Sequence, residues 1–459
     1  MVWIMADKSQ KIRKKAMAMS PTRLIALVFL AIIALGTVLL TLPVASRDGR
    51  SCGVVPALFT ATSATCVTGL TPFDTWTQWS GFGQIVLLCL IQVGGLGFMS
   101  AASLVIFLFR RRVGMRERMV IAQAFSLPDM SGVVRLQKLV LFGSLSIEAV
   151  GAAILTLRFL PGYGLRTALK WGIFHSISAF CNAGFDILGS IAPGSSIAPF
   201  VLDPVVSFTI MALIILGGLG FLVWQELVQK HRWSRFGVYT KLVLITSFVL
   251  VFGGAAVFYL LEWNNPATLG ALSVGDKLLS GLFQSVTTRT AGFAGFDQAA
   301  LTDGGKGFTM FLMLIGGSSG STAGGLKTVT FVVLLLFLKT RATGRQTVNV
   351  FHRTIPSSQV LDAMTIAGIM LALALFGGIF ITATSPISFT DSLYEAVSAL
   401  ATVGLTAGAT TSLALPAQIL IIIYMYFGRV GVLTLSLGFL MGNQAEERFR
   451  YANTNLLIG

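Results

Sequence analysis

Hydrophobic residues along this 459-residue chain fall in runs whose lengths alternate in a fixed order, a long run, then a short one, then a long one. The first long runs cover approximately Leu24 to Leu42, Leu136 to Leu160, Lys241 to Leu261 and Asp362 to Thr382, each near the ~20 residues that a helix needs to cross a bilayer. The second long runs cover approximately Phe82 to Phe109, Val205 to Val228, Phe308 to Leu338 and Ile419 to Met441. Between them lie apolar stretches from Val55 to Cys66, Leu169 to Cys181, Lys277 to Thr288 and Ser392 to Ala401, which suit re-entrant half-helices rather than crossings. The pattern predicts an all-α polytopic membrane protein with four membrane-pore-membrane repeats. Eight transmembrane helices and four re-entrant pore helices would surround a pseudo-fourfold pore.

The expected divisions are a cytoplasmic N-terminal tail over 1–23, repeat 1 over 24–118, repeat 2 over 119–235, repeat 3 over 236–353, repeat 4 over 354–441 and a cytoplasmic C-terminal tail over 442–459. With 54% hydrophobic and only 11% charged residues, an ordinary soluble domain is excluded. The formal charge of +15 would suit nucleic acid, but the basic residues stand in clusters between spans. The clusters are Lys8 to Lys15, Arg110 to Arg118, Lys230 to Lys241, Lys339 to Arg353, and Arg448 with Arg450. By the positive-inside bias they place both termini in the cytoplasm and make the bilayer, not nucleic acid, the partner. Many acidic residues, among them Asp74, Asp186, Asp391 and Glu395, fall on the opposite connections, where they would concentrate cations at an outer mouth. Four cysteines show no metal spacing.

Each short run ends in a Gly-centred segment, and these recur at intervals of roughly 110 residues. They are Val67-Thr68-Gly69, Asn182-Ala183-Gly184, Thr290-Ala291-Gly292 and Thr402-Val403-Gly404. One copy alone carries little information, because small residues also let membrane helices pack closely. Four copies in the same place, each at the end of a half-helix, point to a ring. Irregular backbone at membrane depth must line water or be buried in protein. Each half-helix would aim about half a negative charge at the centre, which favours a cation. The carbonyls of these twelve residues are the candidate ion ligands, and the glycines allow dihedrals that a side chain forbids.

A second Gly-rich stretch, Gly316-Gly317-Ser318-Ser319-Gly320-Ser321-Thr322-Ala323-Gly324-Gly325, interrupts the second long run of repeat 3. It contains a hydrolase-like match at Gly316-x-Ser318-x-Gly320, without the strand and helix context that motif requires, and a near-match to a phosphate loop in which an extra residue separates Gly325 from Lys327. Five glycines in ten residues make a poor helix, so the reading adopted is a flexible loop beneath the cavity, placed as a gate and not as an enzyme site. Arg429, costly in hydrocarbon, is expected in the ion path below the filter with hydrogen bonds to that loop, the alternative being a helix cap. Glu148 is expected to pair with a buried group and Arg289 to brace the third segment from behind. The matching Gly94-Gly95-Leu96-Gly97-Phe98 and Gly217-Gly218-Leu219-Gly220-Phe221 suggest close helix packing.

Taken together, Thr60 to Leu70, Phe180 to Phe185, Thr288 to Phe293 and Gly428-Arg429-Val430-Gly431 resemble the Trk/Ktr/HKT superfamily of potassium transporters, most of all its KtrB branch, the membrane subunits of bacterial Ktr systems. The resemblance spans nearly the whole chain. It implies potassium (K+) as the transported ion, a bacterial plasma-membrane location, a homodimer with one pore per protomer, and a cytosolic KtrA-like regulatory ring that binds nucleotides. It also implies that 316–325 and Arg429 gate the pore. Gly69, where sodium-selective plant relatives carry Ser, favours potassium. Coupling to sodium (Na+) is left open, no organic cofactor is expected in this chain, and the alternative function is a sodium- or proton-coupled carrier of another solute.

Overall fold

The computed structural model describes residues 21–97 and 133–431. The expected tails (apart from 21–23), the Lys8 to Lys15, Arg110 to Arg118 and Arg448 to Arg450 clusters, and the expected spans beyond 97 and 431 lie outside the described residues. Repeat 1 opens with α1 (Pro21–Thr41), the pore helix α2 (Val54–Cys66) and α3 (Gly81–Leu96). In repeat 2, α4 (Val133–Phe180) is followed by α5 (Pro204–Leu219) and α6 (Phe221–Lys230). Repeat 3 holds α7 (Val238–Glu262), the pore helix α8 (Val274–Thr287), α9 (Asp303–Leu314) and α10 (Thr328–Ala342). Repeat 4 holds α11 (Ser357–Thr384), the pore helix α12 (Phe389–Leu400) and α13 (Leu415–Val430).

Among the described residues, four helices, one opening each repeat, are long and apolar enough to cross a membrane. Their lipid-side faces carry exposed Leu35, Val38, Leu157, Phe248, Leu260, Leu371 and Ile379, as a hydrocarbon solvent allows. In repeat 2 the opening span and the pore helix run into each other within α4. Gly164, with φ 72° and ψ 161°, turns the chain three residues after Pro161, so the stretch from 165 to 180 plays the part of α2, α8 and α12. Polar side chains start the helices: Ser80, Asp203, Ser273, Thr302 and Ser388 each accept from a first-turn N–H.

The second run of repeat 3 is interrupted as expected, whereas that of repeat 2 differs from the continuous crossing predicted. The run expected from Val205 to Val228 is broken at Gly220, and α5 and α6 meet at 94°. Gly220 has φ 88°, and a Cβ there would lie 2.5 Å from Ser318 Oγ and 2.9 Å from Ser319 O. The loop of repeat 3 packs directly against this bend. At corresponding places α3 ends at Gly97 (φ 81°) and α13 at Gly431 (φ 95°). The core lies where the four pore helices converge, with Phe59, Phe180, Phe283 and Tyr394 buried around them.

Candidate functional site

Three of the four pore helices end in the same way. In repeats 1, 2 and 4, the N–H of Val67, Asn182 and Thr402 donates three residues back, to the carbonyls of Ala64, Ala179 and Ala399. The next N–H, of Thr68, Ala183 and Val403, donates five residues back to Ser63, Ser178 and Ser398, each at 2.8 Å. This pair of bonds is a Schellman helix ending, which requires a left-handed residue between helix and exit. Val67, Asn182 and Thr402 have φ of 58°, 58° and 51°, and Thr290 in repeat 3 has φ 62°. Repeat 3 closes its helix with Ala291 N–H on Thr287 O at 3.0 Å. None of these four residues is glycine, and a β-branched residue in this region is a true outlier. The glycine pattern pointed two residues further on and missed this strain.

Side chains then hold the exit. Ser63 Oγ and Ser398 Oγ accept from Gly69 N–H and Gly404 N–H at 3.0 and 3.1 Å, while the hydroxyls of Ser178 and Thr287 donate to Phe185 O and Phe293 O, both at 2.7 Å. The glycines themselves have φ of 101°, 68°, 79° and 95°. Around them the chain closes a ring. A Cβ on Gly69 would stand 2.6 Å from Ala183 O, one on Gly184 2.8 Å from Ala291 O, one on Gly292 2.5 Å from Val403 O, and one on Gly404 would run into Thr68 O. Each repeat thus abuts the next in order and the fourth abuts the first. The four predicted glycines and the residues just before them, Thr68, Ala183, Ala291 and Val403, meet at this ring. The hydroxyls of Thr68, Thr290 and Thr402 are buried there without a hydrogen-bond partner, as are those of Thr62 and Thr65. Backbone carbonyls, free hydroxyls and four helix C-termini make an environment suited to a dehydrated cation.

The stretch from Gly316 to Gly325 lies against the base of this ring. A bridge between Ile315 and Leu326 closes its neck, with Gly316 N–H on Leu326 O at 2.9 Å and Leu326 N–H on Leu314 O at 3.0 Å. Its tip is tied to repeat 2: Ser318 and Thr322 N–H donate to Gly218 and Gly217 O, and Gly320 O accepts from Phe221 N–H. A Cβ on Gly324 would collide with Thr402 Oγ1, so the loop reaches the first residue of the fourth segment. Ser318 donates its hydroxyl to the carbonyls of Gly218 and Leu219, and Lys327 donates to Ala323 O at 2.8 Å. The hydrolase-like serine and the phosphate-loop-like lysine are therefore both engaged by backbone.

Arg429 joins three repeats. Its guanidinium donates to Thr322 O in the loop and to Gly94 O, and to Gly95 O at 3.0 Å, at the end of α3. The Gly94-Gly95 and Gly217-Gly218 pairs sit behind the pore helices, where Cβ atoms on Gly94 and Gly217 would strike Thr65 O and Phe180 O. Glu148 is buried and accepts from Gln92 Nε2 at 2.9 and 3.1 Å. Arg289 lies behind the third segment, within 3.4 Å of Ser247 Oγ, beside a small cavity lined by Ile214, Gly218, Val286 and Gly317.

A protein-family model described as "TrkH: Cation transport protein" matches residues 3–449. The chain belongs to the TrkH family. It is 38% identical to the "Potassium/sodium uptake protein NtpJ" of Enterococcus hirae, over 99% of this chain and 100% of that protein. It is also 38% identical to the "Ktr system potassium uptake protein B" of Bacillus subtilis, over 94% of this chain and 95% of that protein. The crystal structure of the potassium transporter TrkH from Vibrio parahaemolyticus superposes with a TM-score of 0.68 at 19% identity, covering 90% of this chain and 84% of that one. At that identity the likeness concerns the fold. This family member is a multi-pass helical membrane protein whose four repeats bring their Gly-centred segments into one ring.

Proposed function

We propose that this protein is the membrane subunit of a Ktr-type uptake system and carries potassium inward through the ring of backbone carbonyls. The observation that supports it most is the ordered closure of the four segments, each glycine abutting the carbonyl that precedes the glycine of the next repeat. Such a ring can replace the hydration shell of a potassium ion, and the membrane potential supplies roughly 2.3 kcal/mol per charge per 100 mV. The loop over 316–325, held by Arg429, is the gate below the ring. A homodimer in a bacterial plasma membrane, with a nucleotide-binding KtrA-like ring on the basic cytoplasmic connections, completes the reading. Both relatives named above are described as uptake proteins for potassium, and one of them for sodium too. The protein catalyses no covalent step in this reading.

Expression in a potassium-uptake-deficient bacterium, together with a cognate regulatory subunit, is expected to restore growth at low potassium. Gly69→Asp, present in the membrane at the same level, is expected to abolish it. If the intact protein fails to restore growth, the potassium reading is wrong. Isotope uptake in sodium-free buffer then separates unassisted transport from sodium-stimulated transport.

A further inference from the structure

The outer side of the segments is held by a different set of residues from the inner side. Each pore helix carries one buried polar residue nine positions before its ring glycine in repeats 1, 2 and 4, and eight before it in repeat 3: Thr60, His175, Glu395 and Gln284. Thr60 donates to Pro56 O within its own helix and ties nothing else. His175 Nδ1 lies 2.7 Å from Trp171 O, and its Nε2 faces Ile187 N–H at 3.4 Å, just beyond the second segment. Gln284 exchanges two hydrogen bonds with Gln298 at 2.6 and 3.2 Å, and the Tyr394 hydroxyl adds another to Gln298 Oε1 at 3.2 Å.

Glu395 makes the most direct clamp. It is fully buried, accepts the Thr406 hydroxyl on Oε1, and accepts the Thr410 hydroxyl on Oε2 at 2.8 Å. The two threonine oxygens are 2.9 Å apart, and Thr406 Oγ1 also accepts Gly408 N–H at 3.0 Å. One carboxyl therefore fastens the chain that leaves Gly404 to the helix that enters Thr402. Among the described residues no basic side chain forms a salt bridge with it. Burying such a group is costly unless its hydrogen bonds are made, so the two threonines are integral to its position. The fourth segment also has a neighbour on each side, since Gly404 abuts Thr68 O and Val403 O abuts Gly292. A shift in this segment reaches two others.

We propose that Glu395, through Thr406 and Thr410, is a positioning residue that sets the preference of the ring for potassium over sodium. Holding the exit of the fourth segment fixes how closely its carbonyls can follow a smaller ion, and carbonyl placement is what distinguishes the two cations. The inference rests on the transport reading above and deepens it.

The test is uptake of rubidium, as a potassium substitute, and of sodium into proteoliposomes holding the full-length protein with its regulatory subunit. Glu395→Ala and the double variant Thr406→Val/Thr410→Val are each expected to lower the rubidium-over-sodium preference about tenfold, the scale of one lost hydrogen bond to a charged group. The triple variant is expected to lose no more than either. Glu395→Gln, which still accepts one hydroxyl, is expected to retain most of the preference. Should Glu395→Ala fail to fold, the threonine variant, which keeps the carboxyl, decides. A folded variant of either kind with wild-type preference overturns the inference, as does a wild type with no preference. Wild-type protein that passes no rubidium overturns the transport reading itself and this inference with it.

Discussion

Val67, Thr290 and Thr402 open their segments in a left-handed conformation that their branched side chains resist, at a cost of about 1 to 3 kcal/mol each. Sequence periodicity could not reveal this, because the strain is imposed by the way each pore helix ends, a Schellman ending at Val67 and Thr402, and by the ring that the chain must join. The glycines were legible for the opposite reason: a Cβ would occupy the place of a neighbour's carbonyl. Asp186, two residues past Gly184, is half-buried beside Asp74. Withdrawal from water, with a smaller push from Asp74, raises its pKa from 3.8 to about 7, against the Leu188 N–H that it accepts. The folded state thus favours the protonated acid. Its contribution to stability is complete below the ordinary value and is lost as pH rises to about 7. Thermal melts of Asp186→Asn in detergent are expected to lack this loss, so that the variant gains on wild type as pH rises through that window.

The broken second helices connect loop and ring at the level of elements. The Gly94-Gly95 and Gly217-Gly218 pairs read as packing sites in the sequence, and they do back the pore helices. Nothing in local propensity indicated that α5 and α6 would meet at 94°, and the loop packed against the bend comes from a different repeat. Arg429 was legible as a charge in an apolar run with hydrogen bonds to the 316–325 loop, where Thr322 O accepts, but its acceptors in repeat 1, Gly94 and Gly95, were not, being far away in sequence. Arg429→Gln removes charge-assisted bonds worth roughly 1.5 to 3 kcal/mol each, and the freed loop should open more often. Rubidium flux without the regulatory subunit is expected to rise about tenfold by the same scale. Unchanged flux at equal membrane abundance would count against the gating role proposed for Arg429.

Across the whole molecule, polar contacts join one repeat to another. Lys306 on α9 donates to Asp391 on α12 at 2.8 Å, joining repeats 3 and 4. Partial burial works upward on the Asp391 carboxyl, but the hydrogen bonds from Lys306 and Ser388 and the lysine charge outweigh it, so its pKa is lowered below 3.8. Its contribution is present above that ordinary value and is lost as pH falls through the lower folded one, the reverse of Asp186. Lys306→Met is expected to cost about 1 kcal/mol at neutral pH, with the difference from wild type fading in acid below about pH 4. The sequence by itself determined the helical membrane class, the four repeats and the glycines of the ring. Apolar run length must match bilayer thickness, and backbone crowded at an axis leaves no room for side chains. Only the tertiary structure decided the order of closure, the left-handed residues, the bend at Gly220 and the carboxyl clamp at Glu395. Each of these is set by contacts between residues that the chain brings together only after all four repeats have packed.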